Sequence, residues 1–189
     1  MSIMMPEADQ AVLARRDEIV AALQKIVPGE GVISTTREMQ PYESDALTAC
    51  RQPPMVVVLP DTTEQVSQVL KYCHDNGIKV VPRGSGTSLS GGSLPLADGV
   101  LLGLGKFKRI REIDFDNRVA VVEPGVTNLA ISQAVAHEDF YYAPDPSSQI
   151  ACSIGGNIGE NSGGVHSLKY GMTTNNVLGC EIVLITGEI

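Results

Sequence analysis

Two glycine-rich stretches hold the residues whose types and spacing can do chemistry. The first is Pro82-Arg83-Gly84-Ser85-Gly86-Thr87-Ser88-Leu89-Ser90-Gly91-Gly92. Its glycines permit positive φ and let a ligand approach the backbone closely. Serine and threonine hydroxyls stand between them. Successive N–H groups in such a turn form an anion-binding concavity. The chemistry implied is a grip on a phosphate or pyrophosphate. Two familiar phosphate motifs do not account for it. The dinucleotide fingerprint needs glycine where Leu89 stands and a helix to follow, but Ser93-Leu94-Pro95 follows. The Walker pattern fits Gly86 and Gly91, yet Gly92 replaces its lysine.

The second stretch begins at Pro144-Asp145-Pro146-Ser147-Ser148. It continues as Cys152-Ser153-Ile154-Gly155-Gly156-Asn157-Ile158-Gly159-Glu160-Asn161-Ser162-Gly163-Gly164. Backbone and amide groups in this pattern can line a planar, polar ring system. Compact domains rarely keep so long a structureless segment without a use for it. Two separated stretches suggest one long ligand gripped at more than one point. A flexible turn is the competing reading of either stretch taken alone.

Isolated side chains carry less. His74 falls on the outer face of a helical segment. His137 sits near a helix C-terminus, where a dipole role suffices. His166 lies close enough to the second stretch to touch a ligand. Asp145 and Glu160 are possible bases, but no nucleophile or second carboxylate is paired with them in sequence.

These stretches need elements to hold them. Residues 8–27 have the apolar spacing of one amphipathic helix, with Val12, Ile19, Val20, Leu23, Ile26 and Val27 on one side and Pro28-Gly29 as the stop. Residues 30–54 read as an extended connector with a short helical turn. Met55–Leu59 fits a buried strand. Asp61-Thr62-Thr63-Glu64 has the form of a capping box with Asp61 as N-cap, opening a helix that ends at Asn76-Gly77. Ile78–Val81 is the next strand, which makes 55–81 a parallel β-α-β unit. Strands follow at 100–104, 109–114 and 119–122, the last two as a hairpin around Asp116-Asn117. Thr127 caps a helix over 128–138, with Leu129, Ala130, Ala134 and Val135 inward. Residues 144–176 read as loop and Glu181–Ile185 as a final strand.

Composition narrows the possibilities. The 189 residues carry 14 Lys and Arg against 22 Asp and Glu, a net charge of −8. A nucleic-acid binder needs the opposite sign over a broad surface. No apolar run is long enough to span a membrane, and the N-terminus has no secretory pattern. Cys50, Cys73, Cys152 and Cys180 show no metal-ligand spacing and read as reduced thiols of a cytosolic protein.

The first stretch resembles the pyrophosphate loop of the PCMH-type FAD-binding flavoproteins, the vanillyl-alcohol-oxidase superfamily. Tyr42-Glu43-Ser44-Asp45, Val122-Glu123-Pro124-Gly125-Val126, Tyr142–Cys152, Glu160–His166 and Lys169-Tyr170-Gly171 narrow the likeness to the FAD-binding subunits of bacterial glycolate oxidases. It covers roughly residues 10–189. The resemblance implies an α+β fold: an N-terminal helix and connector over 1–54, then an FAD-binding domain of two α/β lobes over 55–189. The first lobe would take about 55–124 and the second would start near 125. That domain would be incomplete at its C-terminus, with the substrate domain absent.

The resemblance also implies a set of cofactor contacts. Pro82, Arg83, Gly84, Ser85, Gly86, Thr87, Ser88, Gly91 and Gly92 would hold the FAD pyrophosphate. Pro124, Gly125 and Val126 would border the cofactor. Pro144, Asp145 and Ser148 would approach it from the second lobe. Gly155, Gly156, Asn157, Gly159, Asn161, Ser162 and Gly163 would run along the pyrophosphate, ribityl chain and ring. Some superfamily members attach FAD through a histidine at the position of Thr87, so FAD here is expected to be noncovalent. The implied reaction is oxidation of a small 2-hydroxy acid, of glycolate or D-lactate type, to the 2-keto acid. The implied partners are an iron–sulfur subunit and a second flavin-type subunit, with membrane association only through them. A module that binds FAD without catalysis is the alternative.

Overall fold

The computed structural model describes residues 5–189. The chain divides into two compact units, one of 5–106 with Glu181–Ile189 and one of Phe107–Cys180.

In the first unit α1 (Gln10–Ala14) and α2 (Arg16–Ile26) replace the single helix expected over 8–27. The break falls at Arg15, whose φ of −98° and ψ of 8° leave the helical region. Flanking side chains are tied to different anchors there. Arg15 donates to Asn76 Oδ1 at 3.0 Å, whereas Arg16 donates to the carbonyls of Met55 and Ser34. Val12, Ile19, Val20, Leu23 and Val27 are buried as their spacing requires. The connector is more structured than expected: it holds β1 (Val32–Ile33) and α3 (Thr36–Met39), which Thr35 caps.

Next come β2 (Val56–Val58), α4 (Thr63–Asp75), β3 (Lys79–Arg83) and β4 (Gly99–Gly103). The N-cap of α4 is Thr62, one residue beyond the expected Asp61, and its side chain accepts from Gln65 N. Gln65 Oε1 in turn accepts from Asp61 N at 2.7 Å, so a glutamine rather than Glu64 closes the exchange. The sheet order is β1-β2-β4-β3. The β-α-β unit is parallel as expected, but β4 lies between its two strands and pairs in parallel with both. All five residues of β4 are buried, and so are the three valines of β2, as a parallel sheet covered on both faces demands. Val57 and Leu101 pack with Met39 in the centre of this unit. Burying each such aliphatic side chain contributes about 1.5–3 kcal/mol.

Glu181–Ile185 is not a strand. Its backbone finds no ladder partner among the described residues, and a strand without one leaves its amides unpaired. The segment instead meets α4, where Thr63 donates to Glu181 at 2.9 Å and Ser67 Oγ donates to the Gly187 carbonyl.

The second unit opens with the expected hairpin, β5 (Ile110–Asp114) and β6 (Val119–Val122) in antiparallel register. A bulge at Arg111 shifts that register. Thr127 caps α5 (Asn128–Val135), and a further helical turn covers Ala136–Glu138. Its buried residues are Asn128, Ile131 and Val135, so the inner face is rotated from the one expected through Leu129, Ala130 and Ala134. The stretch expected to be loop is loop over 144–153 and between its later elements, but it is interrupted by short helices. It contains α6 (Ile154–Glu160), α7 (Ser167–Tyr170) and a single turn at Thr173–Asn176. Glycine is a poor helix former in isolation, but here packing decides: Val126, Ile131 and Ile154 form the unit's core, with Ile158 of α6 against it.

Candidate functional site

The first glycine-rich stretch leaves the C-terminal end of β3, which is pinned by pairing Pro82 with Leu102 and Arg83 with Gly103. Gly86 has φ +68° and Gly91 φ +79°, values that put the turn in the glycine-favoured region. The Arg83 side chain folds back under its own loop. It donates to the Tyr42 carbonyl at 3.3 Å and lies 6.0 Å over the Tyr42 ring. Burial lowers its pKa, opposed by the charge of nearby Asp45. Arg83 therefore supports the loop from beneath, while Gly86 O accepts from Ala46 N at 2.9 Å. Asp45 is buried and takes Leu47 N and Ser93 Oγ, which fixes the far side of the turn.

The consequence for chemistry is a row of free donors. From Gly84 to Gly92, only the Ser90 amide has an acceptor among the described residues, the hydroxyl of Ser88 at 3.0 Å. A Cβ built on Gly92 would meet nothing within 4 Å. Unpaired amides next to open space are what an anion needs.

In the second unit Pro124, Gly125 and Val126 are held at their backbones. Gly125 N donates to Phe107 O at 2.7 Å, and Pro124 O and Val126 O accept from Gly155 N and Ile154 N. The preceding Glu123 is buried. It accepts from Arg109 N and Nε at 2.9 Å and from Arg111 Nη2 at 3.1 Å. Burial pushes its pKa up, but these donors outweigh it and hold the carboxyl below its ordinary value. This cluster joins residues 12 and 14 apart across the hairpin, a spacing with no local signature in sequence.

The glycines of the second stretch divide by what surrounds them. A Cβ on Gly155 would fall 2.7 Å from Pro124 Cβ, and one on Gly163 would fall 2.5 Å from Met172 Sδ. Gly155 is required by packing, because it meets the Pro124 ring and backbone, whereas Gly163 meets only the ends of the Ser167 and Met172 side chains. Gly159 faces open space. Asn161 ends α6 with φ +53°, and its Oδ1 accepts from Thr174 N and Oγ1. Ser162 O accepts from Thr173 N and Oγ1. Among the described residues four buried polar atoms, Asn128 Oδ1, Tyr142 OH, Ser153 Oγ and Asn157 Nδ2, have no partner. Two of them belong to the opening turns of α6. Pro144 is fixed by Asn128 Nδ2 at 2.9 Å, and Ser148 O accepts from Ala151 N and Cys152 N.

Asp145, unpaired in the sequence reading, has a partner here. His166 Nδ1 lies 2.7 Å from Asp145 Oδ2, and the His166 amide donates to Oδ1 at 3.3 Å. Burial would raise the Asp145 pKa, but these bonds and the histidine lower it. Tyr141 and Tyr170 flank the imidazole, with ring centroids 6.4 and 6.5 Å from it. Glu160 is exposed at the end of α6 and is not joined to this group. His74 and His137 are exposed.

Residues 54–189 match the FAD binding domain family. The chain is 53% identical over 190 residues to the glycolate oxidase subunit GlcD of Escherichia coli K12, which covers all of this chain and 38% of that protein. It is 39% identical over 155 residues to a D-lactate dehydrogenase of Archaeoglobus fulgidus, covering 77% of this chain and 34% of that one. Among solved structures it is similar to an alkyldihydroxyacetonephosphate synthase, with TM-score 0.72 at 18% identity, over 90% of this chain and 32% of the other. A p-cresol methylhydroxylase with substrate bound matches with TM-score 0.69 at 22% identity, over 84% of this chain and 31% of the other. At these identities the two structures share the fold. The chain spans about a third to two fifths of the length of its curated relatives.

Proposed function

We propose, since the chain belongs to the FAD binding domain family, that it forms the cofactor-holding part of an oxidoreductase that converts a 2-hydroxy acid to the 2-keto acid. The observation that carries the cofactor assignment is the row of unpaired amides in the first stretch. A diphosphate is doubly charged and presents several acceptor oxygens. Backbone amides can bind it without net positive charge, which suits a chain of net charge −8.

On this reading the amides of Gly84, Ser85, Gly86, Thr87, Ser88, Gly91 and Gly92 take the pyrophosphate, with Pro82 and Arg83 setting the entry of the loop. Pro124, Gly125 and Val126 border the cofactor. Pro144, Asp145 and Ser148 approach it, and Gly155, Gly156, Asn157, Gly159, Asn161, Ser162 and Gly163 accompany its pyrophosphate, ribityl chain and ring. The unpartnered Asn157 Nδ2 and Ser153 Oγ support this, since buried polar atoms without partners are costly. Thr87 offers no ring nitrogen, so FAD is held noncovalently.

Bound FAD supplies the two-electron acceptor for hydride from the α-carbon. The chain's residues bind and orient it. Glycolate and D-lactate are the favoured substrates because the relatives that carry those names share 53% and 39% of their aligned residues with this chain. Among the described residues no group of His, Cys, Asp and Glu is placed to hold a metal. The reading gives the full-length protein an iron–sulfur subunit and a second flavin-type subunit as partners. None of the described helices is long and apolar enough to cross a membrane.

Because the chain spans 38% of the Escherichia coli relative, the activity is proposed for a protein of that full length. For the 189 residues alone the reading is FAD binding without turnover. Titration of the purified chain with FAD, followed by flavin fluorescence and visible absorbance, tests the cofactor assignment. Saturable uptake is expected, and acid precipitation should release all the flavin into the supernatant. A colourless protein that takes up no FAD overturns the proposal, and flavin retained in the pellet overturns its noncovalent part. Reduction of a dye acceptor by glycolate or D-lactate in the full-length protein tests the reaction.

A further inference from the structure

We infer that Asp145 and His166 form a positioning pair that holds the two arms of the second glycine-rich stretch in the shape that receives the flavin. This rests on the FAD binding proposed above.

The two residues are 21 apart in sequence, and Asp145 accepts from His166 twice, at Oδ1 from the amide and at Oδ2 from the ring. The backbones they join are in direct contact. A Cβ on Gly164 would lie 1.9 Å from the Asp145 carbonyl oxygen, so only glycine allows that approach. Each arm is anchored independently at its other end. Asn128 of α5 holds the Pro144 carbonyl, and Thr173 and Thr174 hold Ser162 and Asn161. The Gly164 amide is taken by Ser167 Oγ at 2.9 Å.

Between those anchors the remaining donors are free. Among the described residues the amides of Ser147, Ser148, Gly163 and Val165 have no acceptor. The pair thus joins two runs of backbone that each present unused N–H groups, the chemistry that the carbonyl-bearing edge of a flavin ring requires. Its own exposure points away from a fold-stabilising role. The His166 side chain is 53% exposed, and a pair with one partner this far into solvent contributes little to stability. The flanking rings of Tyr141 and Tyr170, with Lys169 beside Tyr170, limit where the imidazole can move.

The test compares the unaltered chain with His166→Ala and His166→Arg. FAD affinity is read by flavin fluorescence, the geometry of the bound ring by visible circular dichroism, and fold stability by thermal melting without FAD. His166→Ala should bind about tenfold more weakly, equivalent to ~1.4 kcal/mol, with an altered visible dichroism and an unchanged melting temperature. His166→Arg keeps donors for Asp145 and should restore affinity to within about twofold. Unchanged affinity and dichroism in His166→Ala overturn the inference, and so does an arginine variant as weak as alanine. A melting temperature that falls in step with affinity assigns the pair to the fold instead and also overturns it. If the unaltered chain takes up no FAD, the functional reading fails first, and that result is distinct from any difference between variants.

Discussion

Replacing Gly86 and Gly92 with alanine, one at a time, separates the architecture of the first glycine-rich loop from its contact with a ligand. Gly86 has φ +68°, and a residue with a Cβ loses roughly 1–2 kcal/mol there. The new Cβ would also lie 2.4 Å from Arg83 Nη2, 2.7 Å from Cζ and 2.8 Å from Nε. The guanidinium must leave, giving up its bond to the Tyr42 carbonyl at a further cost of about 1 kcal/mol. The sum is about 2–3 kcal/mol, and at roughly 2–4 °C per kcal/mol for a chain of this size the melting temperature should fall by about 4–12 °C. Gly92 has neither constraint: its Cβ would meet nothing within 4 Å, so stability should stay within ~0.5 kcal/mol. If a diphosphate fills that open space, Gly92→Ala should nonetheless weaken FAD binding by about tenfold or more. Thermal melts followed by circular dichroism, with parallel FAD titrations, read both effects. A Gly92→Ala chain that binds FAD like the unaltered one refutes the placement of the phosphate. A Gly86→Ala chain with an unchanged melting temperature refutes the account of Arg83 as the loop's support.

Gly164→Ala should lower the melting temperature and FAD affinity together, because its Cβ would overlap the Asp145 backbone and overpacking of this kind costs about 1–3 kcal/mol; a silent substitution in either measurement would contradict the close approach. Glu123, with its carboxyl held below the ordinary value of 4.5 by Arg109 and Arg111 despite burial, contributes stability that is present above that value. It is lost as pH falls through the lower folded value, so a melting curve against pH should steepen in acid, and Glu123→Gln should flatten that slope. Of the four cysteines only Cys180 is exposed, and burial pushes the Cys73 thiol up to about 12. An aromatic disulfide reagent should therefore find one fast thiol in the native chain and four in denaturant, and rapid loss of a second native thiol would contradict the burial.

Much of the first unit was legible because local rules decide it. The apolar spacing of α2 and α4, the all-valine β2 and the Asn76-Gly77 stop follow from side-chain periodicity and backbone preference alone. The order β1-β2-β4-β3 was not legible, since parallel pairing is set by partners distant in sequence. Within the second stretch α6 was not legible because its glycines lower helix propensity, whereas the helix is held by packing of Ile154 and Ile158 and by the approach of Gly155 to Pro124. The break at Arg15 escaped for a similar reason: the anchors on Asn76 and Met55 are remote. The candidate residues for phosphate binding were visible as glycine and hydroxyl clusters. The Asp145–His166 pair was not, because 21 intervening residues obey no helical or strand period.

The segment Glu181-Ile182-Val183-Leu184-Ile185 combines β-branched and aliphatic residues with a single charge. It runs without a ladder, and Ile182, Leu184 and Ile185 are each about half exposed. Such a sequence is a template for intermolecular pairing. Its colloidal consequence is that concentrated solutions of the 189-residue chain should self-associate through this strip in a concentration-dependent way. Placing a lysine at Ile182 or Leu184 would act as a gatekeeper, keeping the protein monomeric without touching either glycine-rich stretch.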